Sequence, residues 1–236
     1  MQTKVLQEDS WLSGYFSYPV YHLSGFDLSL KKEALPSGKV FVDVKAGVGE
    51  IEKISLLESL GFRLIDTNVQ LTRKAGPFDI ITTRCRFAEP SDENAVRLIA
   101  RHSFSQSRFH LDPAVTDEVA NEIKSDWAGN FFLGKRGDWL VVAEQDGEIS
   151  GFLQLLKKDN DTIVIDLIAV KKDKQGLGLG SEMIAFASCA CLQKEAAMEV
   201  GTQIANHSSL RLYNQLGFQI SGAKYVLHLH QYNNGE

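Results

Sequence analysis

What the chain lacks narrows its class before any motif is read. No apolar run in its 236 residues approaches the roughly 20 needed to span a bilayer. The amino-terminal stretch MQTKVLQEDSWLSGYF carries no hydrophobic segment of secretory type. No membrane partner is therefore expected, and the reading is of a cytoplasmic protein. Cysteine is scarce as well. Three residues, Cys85, Cys189 and Cys191, are too few and too oddly numbered for a disulfide framework. Cys189 and Cys191 stand two apart in an expected helix and so point to different faces, which reads as buried thiols rather than a metal or redox pair. Basic excess is missing too: 25 Lys and Arg against 30 Asp and Glu leave a net charge of -5, which excludes a general nucleic-acid or anionic-membrane binder.

What is present is ordinary globular material, 44% hydrophobic and 23% charged. The length suits one full domain beside a smaller one. Aromatics crowd the beginning (Trp11, Tyr15, Phe16, Tyr18, Tyr21, Phe26) among Gly14, Pro19 and Gly25, which predicts short strands or a looped edge. These rings are available to pack inside the chain, to frame an acceptor site or to meet a second copy in a homodimer. Lys39–Gly47 alternates like a strand, with Val40, Val42 and Val44 on one face. Ile51, Ile54, Leu57 and Leu60 recur at helical spacing up to Gly61, a C-cap, and FRLIDTNVQLTR reads as the next strand. The turn-rich Lys74–Asp79 then marks a boundary, giving a small domain over 1–78 and a larger one over 79–236.

The larger part opens with the strand ITTRCRFAEP and a helix that Ser91 or Asp92 caps. A second helix runs from about Asp112 to Trp127. Three extended segments follow with turns at Gln145-Asp146-Gly147 and Asn160-Asp161, an antiparallel meander. Loop, helix, strand, helix and strand complete the order. There is also an internal echo: SLLESLGFRLIDTNVQL from Ser55 lies over RLYNQLGFQISGAKYVL from Arg211, with Leu57 where the second has Tyr213. Any helix-glycine-strand corner produces such a match; a degenerate half-copy of the larger domain produces it too.

The sharpest motif is Gln175-Gly176-Leu177-Gly178-Leu179-Gly180, between an apolar strand and an amphipathic helix. Glycines at this spacing let backbone N–H groups converge, and a helix N-terminus adds partial positive charge, so phosphate is the natural ligand. A dinucleotide fingerprint would need glycine where Ser181 stands, and a nucleotide P-loop would need Gly-Lys-Ser/Thr. A tight turn that merely caps the helix is the plainer alternative.

With Val170 before it, this Q-x-x-G-x-G run resembles the acetyl-CoA pyrophosphate loop of GNAT acetyltransferases. A second run resembles the same family: Asn206, Ser209, Leu212, Tyr213, Leu216, Gly217 and Phe218, with Ser209 in place of its usual Ala. Within the family the likeness is strongest to TDP-fucosamine N-acetyltransferases, on SQSRF (Ser105–Phe109), the helix ending at Trp127 and the carboxy-terminal run. The resemblance implies an α/β GNAT fold, a mixed and largely antiparallel split sheet flanked by helices, with a smaller N-terminal α/β domain, for which the internal echo leaves open both a degenerate half-GNAT and an ordinary helix-glycine-strand corner. It implies acetyl-CoA as co-substrate and an amine acceptor, a nucleotide amino sugar of the kind used in surface polysaccharide synthesis. A protein, peptide or other small amine, or a CoA-binding module without turnover, are the rival readings.

The same resemblance distributes roles. Backbone N–H groups of Ile168, Ala169 and Val170 would bind the thioester carbonyl. Gln175, Gly176, Leu177, Gly178, Leu179, Gly180 and Ser181 would hold the diphosphate, and Asn206 the pantetheine arm. Tyr213 would protonate the leaving thiolate, its reference pKa lying above a thiol's; a core aromatic is the alternative. Asp166 is the candidate base, acting through water, or simply a polar residue at the cleft mouth. Lys171, Lys172 and Lys174 could meet phosphates. Arg108, which can pair with a nucleotide diphosphate, and Phe109, which can stack on a base or sugar, are the acceptor-side residues. His228 and His230 share a strand face, but no third ligand is evident in the sequence, so no metal site is expected.

Overall fold

The computed structural model describes residues 6–74, 76, 78–159, 161–191 and 196–232. Contacts divide the chain into two compact units. One comprises Met1–Asn68, Arg108–Thr116 and Ala223–Glu236; the other comprises Val69–Ser107 and Asp117–Gly222. A single cut after residue 78 therefore does not describe the division, because the first unit recruits two later segments.

In the first unit, β1 (Leu6–Glu8) pairs antiparallel with β2 (Val20–Leu23), and β2 runs parallel to β3 (Val40–Gly47). Between β1 and β2 lies the short helix α1 (Ser10–Ser13), capped by the Asp9 side chain, where the sequence predicted only strand or loop. β3 pairs antiparallel with residues 224–231 of β10 (Gln219–Gln231), and β4 (Arg63–Lys74) follows β10 in strand order. The sheet has two unlike faces. Val40, Val42, Val44, Leu227 and Leu229 pack with Leu57 and Phe62 as an apolar core under helix α2 (Ile51–Ser59). The other face presents Phe41, Asp43, His22, His228 and His230, with His22 and His228 both opposite Asp43. Ile51, expected on the apolar face of α2, is the first residue of the helix and is exposed. Gly61, at φ +96°, ends the helix as the spacing predicted: Phe62 N–H donates to Leu57 O and Gly61 N–H to Glu58 O, a Schellman cap.

The second unit has strand order β4-β9-β8-β7-β6-β5. β5 is Cys85–Phe87, β6 is Trp139–Gln145, β7 is Glu148–Lys157, β8 is Thr162–Val170 and β9 is Ala197–Gln203. The meander β6-β7-β8 forms as expected; Asp146 and Gly147 both take positive φ, the signature of the tightest hairpin turn. Asn160, half of the other expected turn, lies outside the described residues. Helices α3 (Glu93–Ser103) and α4 (Asp117–Gly129) cover one core, built on Leu140, Val142, Phe152, Leu167 and Ala169. Helices α5 (Leu179–Cys191) and α6 (His207–Gln215) cover another, built on Val141, Leu153, Ile163, Ile165 and Phe218. The expected cap of α3 by Ser91 or Asp92 does not form; instead the 3-10 turn that leads into the helix, Pro90–Asp92, is closed by a reciprocal pair, Glu89 and Asp92, each accepting from the other's backbone N–H. α4 begins at Asp117, later than the predicted Asp112, because the segment from Arg108 to Thr116 belongs to the first unit.

β8 serves both cores of this unit through a bulge. Pairing with β7 skips Asp166: Gln154 faces Leu167 and Leu155 faces Ile165. Odd-numbered residues before the bulge face the α5/α6 core, while after it Leu167 and Ala169 face the α3/α4 core. Ile168 and Val170 thereby turn toward α5 and α6.

Candidate active site at the gap between two strands

β8 and β9 run parallel, but their pairing ends at Ile165 opposite Val200, although β8 continues to Val170 and β9 to Gln203. The other edge of β8 stays paired with β7 as far as Val170. Lys171 N–H donates to Ser150 O at 2.8 Å. Strand alternation then directs the N–H of Ala169 toward β7 and those of Ile168 and Val170 into the gap. The sequence-predicted trio thus separates into two groups that face the opening and one, Ala169, that does not.

The loop leaving β8 reaches α5 through one 3-10 turn (Lys172–Lys174) and the glycine run. Gly176 and Gly178 sit at φ +81° and +84°, where an L side chain is strained. Gly180 has another reason: a Cβ there would stand 3.3 Å from Leu212 Cδ2, so it sets the approach of α5 to α6. Gln175 Nε2 donates to Val170 O at 3.3 Å, folding the loop back on the strand that precedes it. Leu179 is buried and anchors the helix start, and Leu177 is exposed. The first-turn N–H groups, those of Leu179, Gly180 and Ser181, have no acceptor within the helix and carry its positive end. Of the three flanking lysines, Lys171 pairs with Glu148 at 3.0 Å and Lys174 with Asp146 at 2.8 Å. Lys172 has no ion-pair partner among the described residues.

Tyr213 lies on α6 inside the α5/α6 core, 2% exposed, its ring 5.4 Å from that of Phe218. Its hydroxyl has no protein partner among the described residues. Burial raises its pKa above the ordinary phenol value, so the group stays protonated. Asn206 caps α6: Oδ1 accepts from Ser209 N–H at 3.2 Å and from Ser208 Oγ at 3.0 Å, while Nδ2 donates to Thr202 Oγ1 at 3.3 Å. Its side chain is therefore largely occupied in holding the helix start.

Asp166 is placed differently from a free base. Arg136 grips it with Nη2 on Oδ1 at 2.6 Å and Nε on Oδ2 at 2.7 Å. Trp127 Nε1 and Gln154 Nε2 add bonds to Oδ2 at 2.9 and 3.1 Å. In this arrangement Asp166 ties the bulge of β8 to Arg136, Trp127 and Gln154. Two other sequence readings change. Phe109 is 1% exposed, so its ring faces protein and cannot stack on a ligand. Arg108 is ion-paired with Asp43, whose other oxygen meets His22 Nδ1 at 3.0 Å, and its guanidinium lies 4.7 Å over Phe109. Both lie in the first unit, where Arg108 joins the polar face of the sheet through Asp43.

That face also supplies the third group missing from the HxH pattern. Asp112 Oδ2 lies 2.6 Å from His228 Nδ1 and 2.8 Å from His230 Nε2, with Phe41 stacked on His230. Sequence reasoning missed Asp112 because it is far away along the chain. The three groups have the composition of a metal site. The separations are hydrogen-bond lengths, however; ligands around a tetrahedral zinc stand roughly 3.3 Å apart. The outward nitrogens, His228 Nε2 and His230 Nδ1, are buried without partners, whereas metal-bound imidazoles ordinarily donate there. The cluster reads as a hydrogen-bonded Asp–His–His set. Burial pushes the Cys85 thiol up to about 12 and that of Cys191 up to about 11, which keeps both protonated, and Cys189, expected to be buried, is exposed.

A split between parallel strands, opened by a bulge and ending on a glycine loop at a helix N-terminus, defines a class of acyl-CoA-binding folds. Residues 90–218 match the acetyltransferase (GNAT) family, and the chain belongs to it. Among curated relatives it is 35% identical over 142 residues to the spore coat polysaccharide biosynthesis protein SpsD of Bacillus subtilis, covering 60% of this chain and 48% of that protein. The chain thus spans about half the length of SpsD. It is 25% identical over 189 residues to the dTDP-fucosamine acetyltransferase of Escherichia coli O6:H1, covering 79% and 80% of the two chains. The fold matches that of a GCN5-related N-acetyltransferase from Kribbella flavida at a TM-score of 0.60 and 12% identity, covering 95% and 86%. No helix among the described residues is long and apolar enough to cross a membrane.

Proposed function

We propose that the chain transfers an acetyl group from acetyl-CoA to the amine of a nucleotide-linked amino-deoxy sugar by direct attack. The observation that carries acyl transfer is the unpaired stretch of β8, with the N–H groups of Ile168 and Val170 facing the gap beside the glycine loop. Two donors fixed in a strand can hold a thioester carbonyl as it becomes an oxyanion, at no cost of reorganisation. The loop from Gln175 to Ser181 holds the diphosphate, and Lys172 is the flanking cation still available to it. Tyr213 donates its hydroxyl hydrogen to the departing thiolate. With Asp166 engaged by Arg136, an amine that arrives neutral gives up its proton to water.

The sugar acceptor is supported by two relatives whose names place them in polysaccharide biosynthesis and in dTDP-fucosamine acetylation. The test is CoA thiol release from acetyl-CoA with TDP-4-amino-4,6-dideoxygalactose, beside related nucleotide amino sugars, polyamines and peptides. Turnover on one nucleotide sugar is the expected result. Turnover confined to the other amines removes the sugar reading and keeps acyl transfer. No turnover and no binding of acetyl-CoA removes both.

A further inference from the structure

We propose that Arg84 is a positioning residue for the diphosphate loop, holding it open to an anion through a fork of contacts; this rests on the reading of Gln175–Ser181 as a diphosphate site. Arg84 immediately precedes β5, and its carbonyl accepts from Glu144 N–H at 2.9 Å, so its backbone is fixed to the sheet. Its guanidinium then spreads over three targets. Nε lies 3.1 Å from both oxygens of Glu182, and Nη2 also meets Glu182. Nη1 donates to Gln145 Oε1 at 2.5 Å, and Nη2 donates to the carbonyl oxygen of Leu177 at 2.9 Å.

Each contact has a consequence for the loop. Leu177 lies between the two glycines of positive φ, where the backbone has the most freedom. In a trans peptide the carbonyl and the following N–H point in opposite directions. Drawing Leu177 O toward Arg84 therefore turns the N–H of Gly178 away from the guanidinium, toward the side where an anion can meet it. Glu182 stands in the first turn of α5, where a carboxylate interacts with the helix dipole and repels any phosphate seeking the same helix end. Paired with Arg84 and mostly buried, it no longer opposes the ligand. A planar, always-charged fork suits this task, because it reaches Glu182, Gln145 and the carbonyl from separate nitrogens, where a lysine has one nitrogen at one point.

The experiment compares CoA with pantetheine, which keeps the arm and the thiol but lacks the diphosphate, on wild type and Arg84→Met, by titration calorimetry and competition. Arg84→Met is expected to weaken CoA binding at least 10-fold and leave pantetheine binding unchanged. Arg84→Lys should fall between, and adding Glu182→Gln to Arg84→Met should restore part of the loss. Equal CoA affinity in wild type and Arg84→Met overturns the proposal. So does an equal loss for both ligands, which is what a general loosening of the fold would give; a thermal melt of each variant identifies that case. Wild type that binds no CoA strikes instead at the reading of the loop, and the role of Arg84 falls with it.

Discussion

Two corners of the molecule have the same backbone and different chemistry. In the first unit, β3 leads to α2 and then β4; in the second, β9 leads to α6 and then β10. One constant offset in numbering relates Ile51 to His207, Ser59 to Gln215, Gly61 to Gly217 and Arg63 to Gln219. Each helix ends in a Schellman cap, with Phe62 N–H on Leu57 O in one and Phe218 N–H on Tyr213 O in the other. Leu57 and Tyr213 thus hold the same position, both buried, both packed beside the phenylalanine that follows the glycine. The entries differ more: Glu50 reaches back to Gly47 N–H, while Asn206 reaches forward to Ser209 N–H. The lesson is that the corner is a packing solution that tolerates either side chain. What distinguishes the second corner is a single hydroxyl, that of Tyr213, where the first has the methyl groups of Leu57. We propose on this ground that the first unit is a half-copy of the acetyltransferase scaffold that keeps the corner and lacks the reacting group.

The comparison can be broken in four ways. The largest effect is expected from Tyr213→Phe, which keeps the packing and deletes the hydroxyl: kcat should fall roughly 100-fold or more with the melting temperature unchanged. Full turnover at saturating substrate would reduce Tyr213 to the packing role of Leu57. Next, Leu57→Ala should cost about 2–5 kcal/mol in urea denaturation, as a fully buried leucine does. A much smaller loss would mean that the α2 corner is not the center of its core.

A third way separates the units by pH. His228, in the first, has its pKa lowered to about 4, chiefly by burial, against the pull of Asp112. The folded chain keeps the ring neutral there, while the unfolded chain protonates near 6.5. Stability present above about pH 6.5 is therefore lost as the pH falls toward 4, by on the order of 3 kcal/mol. Asp112, held below the usual carboxylate range by the two imidazoles, adds a further loss at still lower pH. Denaturation curves between pH 7.5 and 4.5 should show the slope, and His228→Gln should flatten it. Smallest is the paired test of the caps: Gly61→Ala and Gly217→Ala should each cost about 1–2 kcal/mol, from φ alone. An added Cβ meets only ordinary contacts, 3.4 Å to Leu229 Cδ1 and 3.6 Å to Arg73 Nε. Clearly unequal costs would show that the two corners are not equivalent.

The corners, the meander and the glycine loop were legible in the sequence for local reasons. Alternation marks strands, and glycine marks positive φ at Gly61, Gly176, Gly178 and Gly217. What escaped was everything decided by closure of distant segments. Asp166 looked free because Arg136 and Trp127 lie in other elements, and no local pattern announces a bulge. Arg84 carries no motif of its own, and its worth depends on Leu177 and Glu182, which are remote in the chain. Phe109 looked like an exposed stacking ring until the segment around it was seen to belong to the first unit.

The discontinuity of the first unit has a consequence in time. Val40–Gly47 leaves the ribosome well before Lys224–Gln231, which pairs with it in the finished sheet. At ordinary synthesis rates the interval is roughly ten to thirty seconds. During that interval β3 has β2 beside it and nothing yet on its other edge. The second unit, whose strands are all synthesised by then, can close first. The first unit is thus the earlier begun and the later finished, and nascent-chain proteolysis should find it open after the second has become resistant.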